Sequence, residues 1–85
     1  MQEFSYKIKD RLGIHARPAG QLVKCASDFE SDISIFYNDR EGNLKKLFSL
    51  MSLGIKCGDT VRVTVSGSDE QNAVQSLKSY FADNL

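Results

Sequence analysis

The chain has 85 residues, 41% of them hydrophobic and 26% charged, with eleven basic residues set against eleven acidic ones. That length suits one domain, spanning residues 1–85, and the composition is that of a globular chain, not of a disordered one. The zero formal net charge at pH 7 argues against nucleic acid as a partner, because no broad basic field is present to draw the protein onto phosphate backbones.

The N-terminal MQEFSYKIKD lacks the apolar segment of a signal peptide, and no apolar run approaches the roughly 20 residues that cross a bilayer. A cytoplasmic protein without membrane insertion is expected. Within this segment Phe4, Tyr6 and Ile8 alternate with Ser5, Lys7 and Lys9, the period of two that marks a strand with one buried face.

Next comes GIHARPAG, residues 13–20, which holds the only histidine and the only proline of the chain. Ala19, Leu22, Val23 and Ala26 follow at helical spacing, so a helix is predicted from Ala16 to Ser27. Gly20 weakens it by about 1 kcal/mol relative to alanine. Pro18 falls in the first turn, where its missing N–H costs no helical hydrogen bond.

That placement gives His15 a chemical setting. Free N–H groups at a helix start, together with half a positive charge, form a natural anion site, and the forked guanidinium of Arg17 adds donors suited to phosphate oxygens. A neutral imidazole, with an unperturbed pKa of about 6.5, is a nucleophile near pH 7 without a separate base. Positioning and charge would then carry most of a phosphoryl transfer. A loop histidine beside an arginine is also the ordinary pattern of a solvated surface, and spacing does not decide between the two.

Farther on, Ile33, Ile35 and Tyr37 predict a second strand, the polar run Asn38 to Gly42 a reversal, and Arg40 to Leu44 a short third strand. Leu47, Phe48, Leu50 and Met51 fit a helix of one or two turns ended by Gly54. They cannot all face inward on so short a helix, so Leu50 is assigned to the core and Phe48 to the surface. Thr60 to Ser66, TVRVTVS, is the clearest strand, with Val61, Val63 and Val65 on one face. A last helix carries Ala73, Val74, Leu77 and Phe81 as its stripe, with Ser68 and Gln71 at capping-box spacing.

Cys25 and Cys57 lack CxxC spacing and have a single histidine for company, so neither a metal nor another cofactor is expected, and both are read as buried or half-buried free thiols. The predicted order is strand, helix, strand, strand, helix, strand, helix. Amphipathic strands of this kind suit an α+β, open-faced two-layer β-sandwich: a four-stranded antiparallel sheet with three helices on one face.

GIHARPAG resembles the active-site segment of the HPr family, the histidine-containing phosphocarriers of the bacterial phosphoenolpyruvate-dependent sugar phosphotransferase system. The resemblance spans the chain: NLKKLFSLMSLGI, residues 43–55, resembles the family's second-helix region, and SGSDEQNAV, from Ser66, its last strand-to-helix junction. It implies a monomeric carrier in which His15 accepts a phosphoryl group from enzyme I, through Nδ1 in that family, and passes it to the A component of a sugar permease. The backbone N–H groups of Ala16 and Arg17 would receive the phosphoryl oxygens, Arg17 would also meet the partners, and Leu47, Phe48 and Met51 would form the docking surface. Such a carrier holds phosphate transiently, as a stoichiometric intermediate and not as a turnover enzyme.

Two positions depart from that pattern. Many relatives carry a regulatory serine at the start of the second helix, where this chain has Lys46, and a small polar residue where it has Leu12. A lysine cannot take the phosphate, so the serine switch is not expected here. The same departures leave open a paralogue serving a regulatory phosphotransferase chain without sugar uptake, and a regulatory protein-interaction module remains a further alternative.

Overall fold

The computed structural model describes residues 1–85. It has seven elements in chain order: β1 (Gln2–Lys7), α1 (Ala16–Ser27), β2 (Asp32–Tyr37), β3 (Arg40–Asn43), α2 (Leu47–Met51), β4 (Thr60–Ser66) and α3 (Glu70–Asn84). The strands form one antiparallel sheet in the order β1-β4-β2-β3. This is the open-faced α+β sandwich anticipated from the pattern of the residues.

The register follows from which side chains must leave water. Val63 of β4 stands between Phe4 of β1 and Ile35 of β2, and Val61, Val63, Val65, Ile33 and Ile35 are all buried. A one-residue slip of β4 would turn its valines outward and Arg62 and Thr64 into the core, so burial itself pins the pairing. The opposite face stays polar. There Arg62 lies 4.5 Å from the Phe36 ring centroid and its guanidinium 3.6 Å from the Glu3 carboxylate.

The helices close the apolar face. Ala19, Leu22 and Ala26 of α1, Leu50 of α2, and Ala73, Leu77 and Phe81 of α3 are buried against it. Phe81 meets the rings of Phe4 and Tyr6 edge-on, each at 5.4 Å between centroids, the favoured arrangement of aromatic quadrupoles. The short α2 would not persist alone. It is held by its buried Leu50, by the Asn43 N–H donating to Ser49 Oγ at 2.8 Å, and by Lys45 Nζ donating to the Phe29 carbonyl at 2.6 Å.

Three expectations need correction. The reversal after β2 takes only Asn38 and Asp39, since Tyr37 already pairs with Arg40, and Gly42 lies inside β3 opposite Ile35. Asn38 supplies the positive φ of 56° that so tight a turn demands. At α3 the cap is Asp69 and not Ser68, and no side chain bonds the helix from the cap position. The Asp69 carboxylate instead reaches the α1–β2 link, a contact 38 residues away, while Glu70 Oε1 accepts from the Gly67 N–H at 3.1 Å. Cys25 is half-buried as expected, but Cys57 is exposed, with Sγ 3.7 Å from the Lys9 carbonyl. No helix is long and apolar enough to cross a membrane.

Candidate functional site

The loop between β1 and α1 brings the chemistry together. Its bend requires Gly13, whose φ is +69° and where an added Cβ would stand 2.4 Å from the Ile55 carbonyl oxygen. A main-chain hydrogen bond from Gly13 N–H to Asp10 O (2.9 Å) closes the turn within the loop, and one from Ile14 N–H to Ile55 O (3.1 Å) seats the loop on the segment before β4. Ile14 is buried beneath it. The next residue, His15, therefore emerges at a fixed point on the surface.

His15 is the N-cap of α1, in extended conformation at φ −99° and ψ −178°, and its side chain makes no capping hydrogen bond. Its carbonyl accepts the Ala19 N–H at 2.9 Å. Pro18 has no N–H to offer. That leaves the N–H groups of Ala16 and Arg17 as the unpaired donors of the first turn, directly following in the chain His15, whose side chain is 36% exposed. A helix start is where such donors and the positive end of the dipole favour an anion.

The turn is anchored from behind. The Tyr80 hydroxyl of α3 lies 3.1 Å from the Pro18 carbonyl oxygen, to which it donates, and 2.9 Å from Gln21 Oε1. Burial is the main cause that raises the Tyr80 pKa above its ordinary value, so the phenol stays a neutral donor at pH 7. Pro18 and Ala19 are buried, whereas Ala16 and Arg17 are exposed. The Arg17 guanidinium has no carboxylate in ion-pair range and lines a shallow groove with Asp10, His15, Pro18, Gln21 and Asn84.

His15, Ala16 and Arg17, singled out from the sequence, thus converge at one helix end. A residue the motif did not disclose joins them. Asp10 Oδ1 lies 3.9 Å from His15 Nε2, and the sequence offered no periodicity or spacing rule that points to a carboxylate five residues upstream.

Leu47, Phe48 and Met51 are exposed on α2, Phe48 by 92%, while Leu50 is buried, the division the short apolar run predicted. Lys46 is the N-cap of that helix. Leu12 is 71% exposed and borders a groove with Lys9, Asp10, Arg11 and His15.

Comparison with known proteins locates this arrangement. The family model described as "PTS HPr component phosphorylation site" matches residues 2–83. Phosphocarrier protein HPr of Mycoplasma capricolum subsp. capricolum is 41% identical over 83 residues, covering 98% of this chain and 93% of the relative. Among solved structures, a Mycoplasma histidine-containing phosphocarrier protein superposes with a TM-score of 0.94 at 40% identity, covering 96% of this chain and 93% of that one. HPr-C-His from Thermoanaerobacter tengcongensis gives 0.89 at 36% identity, with each chain covered completely at 100%.

Proposed function

The chain belongs to the HPr family of the phosphotransferase system, and from that membership we propose that His15 is its phosphoryl acceptor, loaded by phospho-enzyme I and discharged to the A component of a sugar permease. The observation that carries the reading is the position of His15 as the N-cap of α1, immediately before the unpaired N–H groups of Ala16 and Arg17. In the reaction a lone pair of the imidazole attacks phosphorus. The N–P bond forms as the bond from phosphorus to the donor breaks, and the donor keeps those electrons. The three phosphoryl oxygens meet the Ala16 and Arg17 N–H groups and the Arg17 guanidinium, fixed donors that need little rearrangement as charge moves.

A partly exposed acceptor bordering shallow surface grooves suits exchange between partners. Leu47, Phe48 and Met51 provide a small apolar patch, and Arg17 a cation beside the acceptor, which together favour a weak, quickly formed complex with acidic partners. The carrier works as a monomer in the cytoplasm.

The test is to incubate the protein with phosphoenolpyruvate and enzyme I of the same organism. An acid-labile, alkali-stable phosphate is expected on the wild type and none on a folded His15→Ala variant. Absence of label on the wild type would falsify the carrier reading.

A second reading, a relay serving regulation and not uptake, draws on Lys46 at the α2 N-cap and Leu12 beside His15. Phosphoryl transfer from the loaded protein to the A component of any sugar permease of the organism removes it.

A further inference from the structure

The Asp10 carboxylate is the one acidic group paired with the His15 ring, with Oδ1 3.9 Å from Nε2. Three main-chain ties hold it there. The Asp10 N–H donates to the Leu85 oxygen at 2.8 Å, the Gly13 N–H donates to the Asp10 carbonyl at 2.9 Å, and the Leu12 N–H donates to Oδ1 itself at 2.9 Å. The last closes an Asx turn, so this carboxylate has little of the rotamer freedom that makes most exposed ion pairs worthless.

A neutral imidazole carries a proton on one nitrogen and a lone pair on the other, and the partner of one nitrogen decides the state of both. Negative charge opposite Nε2 favours the proton there and leaves the lone pair on Nδ1. At 3.9 Å the contact is coulombic, longer than a hydrogen bond. The other charged side chains bordering His15, namely Lys9, Arg11 and Arg17, are cations and offer Nε2–H no acceptor.

We infer that Asp10 is a positioning residue for phosphoryl transfer: it holds His15 as the Nε2–H tautomer and balances the positive charge the ring gains when Nδ1 takes the phosphoryl group. The inference rests on His15 being the acceptor. As the Nδ1–P bond forms, the bond from phosphorus to its donor breaks with its electrons going to the donor. Nε2 keeps its proton, and the ring becomes a cation facing the carboxylate.

Asp10→Asn separates charge from fold, because the amide oxygen still accepts the Leu12 N–H. Nitrogen-15 NMR of the neutral ring reads the tautomer without any phosphoryl donor, and phospho-enzyme I then reads the rate. In Asp10→Asn the ratio of Nε2–H to Nδ1–H and the saturated transfer rate each fall roughly five- to tenfold, the scale of a partly screened charge at this distance. The half-saturating concentration of phospho-enzyme I stays the same, and Asp10→Glu recovers part of both losses. Asp10→Ser is a second neutral replacement that keeps an oxygen for the Leu12 N–H, should Asp10→Asn disturb the loop. An unchanged tautomer ratio in the neutral variants overturns the inference, and so does a changed ratio with an unchanged rate. A ratio that responds in a protein that accepts no phosphate places the failure in the acceptor role of His15 and ends the claim on transfer.

Discussion

The Asp69 carboxylate accepts hydrogen bonds from the hydroxyl of Ser31 and from its main-chain N–H at 3.0 Å, and a further one from the Glu30 N–H at 2.8 Å. Ser31 is buried, so its donors have no water to turn to, and Asp69 is what satisfies them. Through this one side chain the link from α1 to β2 is fastened to the start of α3.

The fastening makes stability depend on acid. The Ser31 hydroxyl first, and then the Glu30 N–H, hold the Asp69 carboxyl below its ordinary range. A proton therefore binds the folded state less readily than the unfolded chain, where the pKa is about 3.9. The stabilisation is whole above that value and is lost as pH falls through the lower, folded one. Glu70, lowered chiefly by the N-terminal ammonium, acts in the same sense. Urea unfolding at pH 6 and at pH 3 is expected to show the wild type more stable than Asp69→Asn at pH 6, with a smaller gap at pH 3. A gap independent of pH would show that the carboxylate's charge is not what holds the link.

Gly13 and Gly54 both have positive φ, +69° and +63°, yet their surroundings differ. An alanine at either site meets the left-handed penalty of about 1–2 kcal/mol. At Gly54 nothing lies within 4 Å of the new Cβ, whereas at Gly13 it would strike the Ile55 carbonyl at 2.4 Å and Lys56 Cα at 2.6 Å. Backbone cannot rotate aside, so Gly13→Ala is expected to cost roughly 2–5 kcal/mol in all and Gly54→Ala only the first part. Equilibrium urea unfolding gives both numbers. Equal losses would show that the loop before α1 yields freely.

Much of this architecture was legible in the side-chain periods, because a single sheet with one covered face writes its burial directly into the sequence. The bounds Ala16–Ser27 and Thr60–Ser66 agree with the periodic reading, as does the inward Leu50 with the outward Phe48. What stayed hidden depends on contacts distant in sequence. Ser68 and Gln71 have the spacing of a cap, but the competing role of Asp69 at Ser31 is set by an approach of two loops that no local pattern encodes. The exposure of Cys57 follows from the turn that carries it, not from its residue type. At the site, His15, Ala16 and Arg17 were readable because a helix start has a local signature. Asp10 reaches the ring only through the bend at Gly13, whose geometry comes from packing on Ile55 and Lys56.

Phe48 and Leu50 are two residues apart and occupy opposite environments, 92% and 1% exposed. Phe48→Asp is expected to change stability by no more than about 0.5 kcal/mol, as for surface sites generally, while slowing transfer from phospho-enzyme I about tenfold or more if the ring fills a partner pocket. Leu50→Ala should do the reverse in kind. It opens a cavity and costs about 2–5 kcal/mol, with transfer impaired only as far as the fold is lost. Denaturation curves and single-turnover transfer on the same samples separate the two effects. Undiminished transfer by folded Phe48→Asp removes the ring from the docking surface.

Lys46 is the N-cap of α2, with φ −128° and ψ 118°, and contributes no side-chain hydrogen bond to the helix. The helix has no acidic residue in its first turn either, so its N-terminal donors go without a side-chain acceptor and face a like charge. Lys46→Ser is accordingly expected to raise stability by about 0.5–1 kcal/mol through a new cap, read from the urea midpoint. A serine-directed HPr kinase should leave the wild type unmodified at position 46 and phosphorylate the variant, where the added charge would sit at the positive end of α2. Mass spectrometry of the tryptic peptides locates the phosphate. Modification of Ser49 or Ser52 in the wild type would move the regulatory site about one turn along the helix or to its C-terminal cap, and Ser49 would then have to release the Asn43 N–H that its hydroxyl now accepts at 2.8 Å.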